Sequence, residues 1–165
     1  MTAFVDIPDV VLGPLAGRPE GDWHRAPPRK WTPAQIVHHL AIGIDGSGRT
    51  FESRRTKPPM QRRSRTPGQR LGCFLVFGLR WIVPGRESPP DVRPAAQPDP
   101  ASVAQQLRDG VARFLRLEVE LVPTRARDLF VKHPYLGDLT LAEWLRFHVL
   151  HCAHHARQIR ARLAS

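Results

Sequence analysis

Arg146-Phe147-His148-Val149-Leu150-His151-Cys152-Ala153-His154-His155-Ala156-Arg157-Gln158-Ile159 holds half of the eight histidines in a chain of 165 residues. Trp144, Leu145, Val149 and Ile159 give the stretch an apolar side, so it reads as part of an amphipathic helix. On a helix advancing about 100° per residue, His151 and His155 stand one turn apart on one face, and His148 lies within about 60° of both. His154 points elsewhere. Two stacked neutral imidazoles suit a divalent metal, because each offers one nitrogen and together they fix two corners of a coordination shell. A third ligand must then come from another segment. The plainer reading is an ordinary amphipathic helix with some histidines hydrogen-bonded in the core and some solvated.

The length predicts one domain, residues 1–165, able to bury a core without disulfide staples. Hydrophobic residues make up 41% and charged residues 24%, a globular balance that argues against wholesale disorder. The net charge of +10 raises the question of nucleic acid or an anionic membrane. Its distribution argues against both: the excess is concentrated in Arg49, Arg54, Arg55, Lys57, Arg62, Arg63, Arg65 and Arg70, among Pro58, Pro59, Pro67 and Gly68. That segment reads as a solvated connection, and it lacks the aromatic interleaving of a single-strand binder. Cys73 and Cys152 match no CxxC pattern, so no disulfide framework is expected. Met-Thr-Ala-Phe-Val-Asp-Ile-Pro-Asp at the start has neither a basic nor a long apolar region, so secretion is not indicated and the cytoplasm is the expected compartment. The apolar run Leu71 to Val83 is too short to span a bilayer and contains Arg80.

Val5 to Leu15 predicts a short helix from near Pro8, stopped by Gly17 and Pro19, and the residues from Gly21 to Lys30 read as a loop. Trp31-Thr32-Pro33-Ala34-Gln35 is a much sharper helix start, with Thr32 as N-cap, Pro33 in the first helical position and Gln35 closing a capping box. Ile36, His39, Leu40, Gly43, Ser47 and Phe51 share one face of that helix, so His39 is expected to look inward and His38 outward. Gln69 to Val83 reads as a buried helix, with a strand as the alternative, ended by Pro84-Gly85. Leu71 to Val83 would also offer a dimer surface if exposed. Arg86 to Pro100, with five prolines, reads as an extended linker. Pro100 opens a helix carrying Val103, Leu107, Val111, Phe114, Leu117 and Leu121, with Arg108, Asp109, Arg113 and Glu120 on its solvated face and Pro123 marking its end. Arg125 to Asp138 reads as a loop, and Thr140 with Glu143 caps the last helix.

Amphipathic helices without a clear strand imply an all-α, antiparallel four-helix bundle, whose sites are built from inward-pointing side chains on facing helices. If the two histidine-bearing helices face each other, His39, His151 and His155 converge as a metal site with an open position, and His148 is the rival ligand. A metal held this way lowers the pKa of its water or binds a thiolate. His133 and Asp45 are the weaker acid/base candidates; Glu52, on the same helix as Asp45, is another carboxylate that would orient a ligand histidine. Cys152, about 100° round the helix from His151, reads as packing.

Trp31-Thr32-Pro33-Ala34-Gln35-Ile36-Val37-His38-His39-Leu40 resembles the Trp-Ser/Thr-x-x-x-Ile/Val-x-x-His-Leu segment of the DinB/YfiT-like superfamily. His133-Pro134-Tyr135-Leu136-Gly137-Asp138-Leu139-Thr140 and His151-x-x-His154-His155-x-x-Gln158 resemble its later signature, especially in the DUF1569-type branch. The resemblance covers about residues 30 to 165. It implies a four-helix bundle that binds a divalent cation, commonly nickel or zinc, through one histidine of the second helix and two of the last. By position these are His39, His151 and His155. It further implies a metal-dependent hydrolase or a transferase using low-molecular-weight thiols, acting on a small molecule, with a non-catalytic interaction module as the alternative. The basic, Pro-rich insertion at 54–100 with its apolar helix, between the second and third bundle helices, departs from the pattern and is positioned to reshape the mouth of the site.

Overall fold

The computed structural model describes residues 3–83 and 88–164. The stop expected at Pro84-Gly85, the first two residues of the expected linker and Met1-Thr2 of the N-terminal segment lie outside the described residues. Three long helices carry the bundle: α3 (Pro33–Arg54), α5 (Pro100–Arg125) and α6 (Leu141–Leu163). A fourth, shorter rod consists of α1 (Ile7–Leu12) extended by a 3-10 turn on either side, Phe4–Asp6 and Gly13–Leu15.

Local chemistry sets where the long helices begin. Thr32 Oγ1 accepts the Gln35 N–H at 3.2 Å while the Gln35 side chain accepts the Thr32 N–H at 3.0 Å. Thr140 and Glu143 repeat this reciprocal arrangement at the head of α6. Each pair satisfies two of the donors that a helix start leaves orphaned. Asp99 caps α5 through the Ser102 N–H at 2.7 Å. Pro123 does not end α5, which continues to Arg125 with the proline inside its last turn.

Ile7 and Val11 of α1, Ile36, Leu40 and Ile44 of α3, Leu107 and Phe114 of α5, and Ile159 of α6 meet in one buried core. The bundle is all-α, but its helices are not antiparallel throughout. Along α3, Ile44 lies against Gly110, Gly48 against Arg113 and Phe114, and Arg55 pairs with Glu120, so α3 and α5 run the same way. Against α6 the order reverses, with His39 facing His151 and Ser47 facing His148. Parallel neighbours need a long crossover connection, and the segment between α3 and α5 supplies it.

That segment is more ordered than its composition suggests. Arg62, Arg63 and Arg65 are tied to the hairpin and the head of α6, although Arg62 and Arg63 stay exposed. Arg63 binds both carboxylate oxygens of Asp138, Arg62 binds Glu143, and Arg65 donates to the Leu136 carbonyl at 3.0 Å and to Glu143 at 3.0 Å. The Asp138 carboxyl is buried and held below the usual carboxylate range, chiefly by its hydrogen bond from Arg63. Gln69 to Val83 is not a buried helix either: α4 (Pro67–Cys73) passes into a π-helical turn at Phe74–Gly78, and of this stretch only Val76 is buried. Leu71, Phe74 and Leu79 are more than half exposed.

Two further expectations are corrected. The stretch from Gly21 to Lys30, read as a loop, begins inside a short helix, α2 (Glu20–His24). Within Arg125 to Asp138 the chain forms a hairpin, β1 (Phe130–His133) paired antiparallel with β2 (Gly137–Thr140). Four residues per strand alternate too briefly to signal themselves, and Gly137, at φ +78°, provides the left-handed residue that closes the turn.

Candidate metal centre

His39 projects from α3 between the fully buried Ile36 and Leu40, so the same face that packs the core aims its ring inward. Trp31 lies against it, ring centroids 5.0 Å apart. Its Nδ1 is 2.8 Å from the carbonyl oxygen of Val92. A carbonyl only accepts, so Nδ1 carries the proton and the Nε2 lone pair is left facing α6. His155 is fixed in the same sense, donating from Nδ1 to Gln158 Oε1 at 2.8 Å, while the amide nitrogen of Gln158 donates to His154 Nε2 at 3.1 Å. His151, stacked on Phe147 with centroids 5.1 Å apart, sits between them.

The three Nε2 atoms converge: His151 to His155 is 3.0 Å and His151 to His39 is 3.5 Å. One ligand atom from each ring lies within 4.8 Å of the others. Two nitrogens bound at about 2.0–2.1 Å to one tetrahedral ion are about 3.3–3.4 Å apart. The observed separations straddle that figure. Two of the three rings have their other nitrogen committed to an oxygen acceptor, the outer support that metal-ligating histidines use to fix tautomer and orientation.

Electrostatics point the same way. Burial holds His39 below the ordinary imidazole value, partly offset by its bond to Val92. His155 is pushed down to about 3 by burial and by His39, and His151 falls well below the usual value through burial and the surrounding imidazoles. All three are therefore neutral at pH 7, the form in which imidazole binds a metal.

His148 does not join the cluster. Its Nε2 is 2.9 Å from Ser47 Oγ, its Nδ1 is buried without a partner, and it packs against Phe114 and Trp144. Because Ser47 Oγ donates to the Gly43 carbonyl at 2.7 Å, it accepts from His148. His133 accepts the Tyr135 and Leu136 N–H groups at Nδ1, so its proton resides on Nε2, and burial lowers its pKa to about 4. It presents a donor to the cavity and not a base. Asp45 is not at the centre: its carboxylate is held by Arg49 and Arg113. Glu52 is also held by Arg113, which thereby leaves the solvated face assigned to it and ties α5 to α3. His38 is half-buried and accepts the Ala95 N–H at 3.1 Å. Cys152 is fully buried, and both cysteines are free.

A cavity of about 1100 Å³ opens in front of the cluster, lined on one side by Trp31, His39 and Phe147 and on the other by Leu71, Leu75 and Ile82 of the insertion. Sequence reasoning found the three imidazoles but not their supports. Gln158 was visible only as a position three residues beyond His155, and Val92 contributes a backbone oxygen that no residue type announces.

The fold is a helical bundle in which three imidazole nitrogens from two facing helices meet at the head of a cavity, a group that could hold a metal ion. The chain belongs to the DinB superfamily, whose family model matches residues 3–159. No curated protein and no solved structure matches it significantly. Among the described residues no helix is long and apolar enough to cross a membrane.

Proposed function

We propose that the protein binds a divalent metal ion, zinc or nickel, through Nε2 of His39, His151 and His155, and works as a metal-dependent enzyme on a small molecule held in the adjoining cavity. The observation that supports this most directly is the convergence of three neutral imidazole nitrogens from two helices, His39 and His151 lying 112 residues apart in the chain. Three protein ligands leave room for a fourth, the pattern of catalytic and not structural sites. Such an ion, when bound, makes a water or thiol nucleophilic near neutral pH.

The chain's own residues favour chemistry led by that ion. Asp91 is the sole acidic side chain among the described residues lining the cavity, and it is exposed. His133 serves as a neutral hydrogen-bond donor, placed to orient a polar group of the substrate. Hydrolysis and transfer to a low-molecular-weight thiol both fit this arrangement. A non-catalytic binding module is the competing reading, favoured by the lack of a poised carboxylate base among the described residues.

Metal analysis of purified protein against His151→Ala and His155→Ala tests the site. Near-stoichiometric metal in the parent chain and loss in both variants is the expected result; equal content in all three removes it. Tight metal binding without turnover across thiol-acceptor, ester and amide panels would leave the binding module.

A further inference from the structure

The cavity is lined by cations as well as by apolar side chains. At the cluster end, Arg29 and Lys30 immediately precede Trp31, whose ring lies on His39, and Arg93 immediately follows Val92, whose carbonyl holds His39. All three cations line the cavity. Neither the Arg29 nor the Lys30 side chain forms an ion pair with a described residue, and both residues are exposed. Arg29 also adopts φ +62°, a left-handed conformation that a side-chain-bearing residue takes at a cost. Lys132 and Arg162 line the cavity as well, and the insertion and the hairpin add the apolar Leu71, Leu75, Val76, Ile82 and Leu136.

We infer that the cavity takes an amphipathic anion, a carboxylate or phosphate head on an apolar chain or ring body, with the head at the Arg29–Lys30 end and the body along the insertion. Two balances lead there. Three neutral imidazoles leave the charge of a divalent ion uncompensated, and the cations around them add to it while Asp91 is the sole acidic group among the described lining residues, so an anion is the complementary occupant. The apolar wall, with Leu71 exposed and Leu75 and Ile82 half-buried, gains by being covered. The volume is at the upper end of ordinary small-molecule sites, large enough to enclose such a body. This inference rests on the proposed metal site for part of the charge at the head end, but not for the apolar wall or for Arg29 and Lys30.

The test is calorimetric binding of octanoate, octanol and acetate to the full chain, as purified and after chelator treatment. Octanoate should bind at least about tenfold more tightly than octanol, which lacks the charge, and than acetate, which lacks the body. The double variant Arg29→Ser/Lys30→Ser should bring octanoate towards octanol in both states. Leu75→Gln should bring it towards acetate. All these side chains are exposed or half-buried, and a thermal melt matching the parent confirms that each variant folds. Octanol binding as well as octanoate, acetate binding as well as octanoate, or a double variant that keeps the full preference would overturn the inference. Failure of the metal reading looks different: metal content unchanged in His151→Ala, with the octanoate preference of chelated protein intact.

Discussion

The carbonyl oxygen of Val92 holds Nδ1 of His39 at 2.8 Å across a separation of 53 residues. The Pro-rich linker is thus a positioning element of the site. It is pinned to the head of α3 by Gln35, whose amide nitrogen donates to the carbonyls of Ala95 and Ala96 at 3.3 and 3.0 Å. Gln35→Glu separates the two duties of that side chain. A glutamate still accepts the Thr32 N–H and keeps the capping box, but it cannot donate to the linker. The expected outcome is a modest fall in melting temperature, since half-buried Gln35 gives up two hydrogen bonds to the linker, with metal affinity lowered several-fold in competition against a chromogenic chelator. Unchanged affinity would show that the linker does not orient His39.

Gln158 supports His155 from the other side. Replacing the partner of a metal-bound imidazole costs about 10–100-fold in affinity, so Gln158→Leu should weaken metal binding by that factor while leaving the three ligands in place. Gln158→Glu retains an acceptor for Nδ1–H and should lose much less. If both variants bind as the parent does, the His155–Gln158 bond plays no part in the site.

Much of this was legible because it is local. A capping box spans four residues, an i,i+4 histidine pair spans five, and each declares its own geometry through the helical period. His39 could be aimed inward because Ile36 and Leu40 define its face. What stayed hidden is non-local. Whether α5 runs with or against α3 depends on the path of the insertion, and that path is set by Asp138 and Glu143, which capture Arg62, Arg63 and Arg65 from more than seventy residues away. Charge and proline content alone gave no sign that those arginines are paired. Arg113 was misplaced for the same reason, its partners Asp45 and Glu52 lying on another helix.

Two buried histidines outside the cluster make stability depend on pH. His148 is pushed down to about 3 by burial and by His133, and His133 to about 4 by burial. In the unfolded chain both titrate near 6.5. Below that value the unfolded state binds protons that the folded state refuses, so stability is full above about pH 6.5 and falls as pH drops towards 4. The slope approaches about 1.4 kcal/mol per pH unit for each such group. Urea midpoints of chelated protein should decline steadily between pH 6.5 and 4.5. The imidazole Cε1 proton signal of His148 should stay still over the same range, and that of His133 should begin to move only near its acid end. A signal from His148 titrating near 6.5 would mean that its ring is hydrated and not sealed in the core.

Gly46 and Gly110 test the packing of α3 on α5 with opposite signs. Gly46 is exposed in the middle of α3, and a Cβ built there meets nothing within 4 Å. Gly46→Ala should therefore stabilise by about 0.5–1 kcal/mol through helix propensity alone. A Cβ on Gly110 would stand 3.0 Å from Ile44 Cγ2 and 3.3 Å from the backbone nitrogen of Asp45. The methyl of Ile44 is able to rotate away, but the backbone of α3 yields only if the helices separate. Overpacking of this kind costs about 1–3 kcal/mol, which exceeds the propensity gain of at most about 1 kcal/mol. Gly110→Ala should lower the melting temperature by a few degrees, at about 2–4 °C per kcal/mol for a chain of this size, while Gly46→Ala raises it. Equal increases from both would mean that α3 and α5 are not in the close, same-direction contact that Gly110 permits.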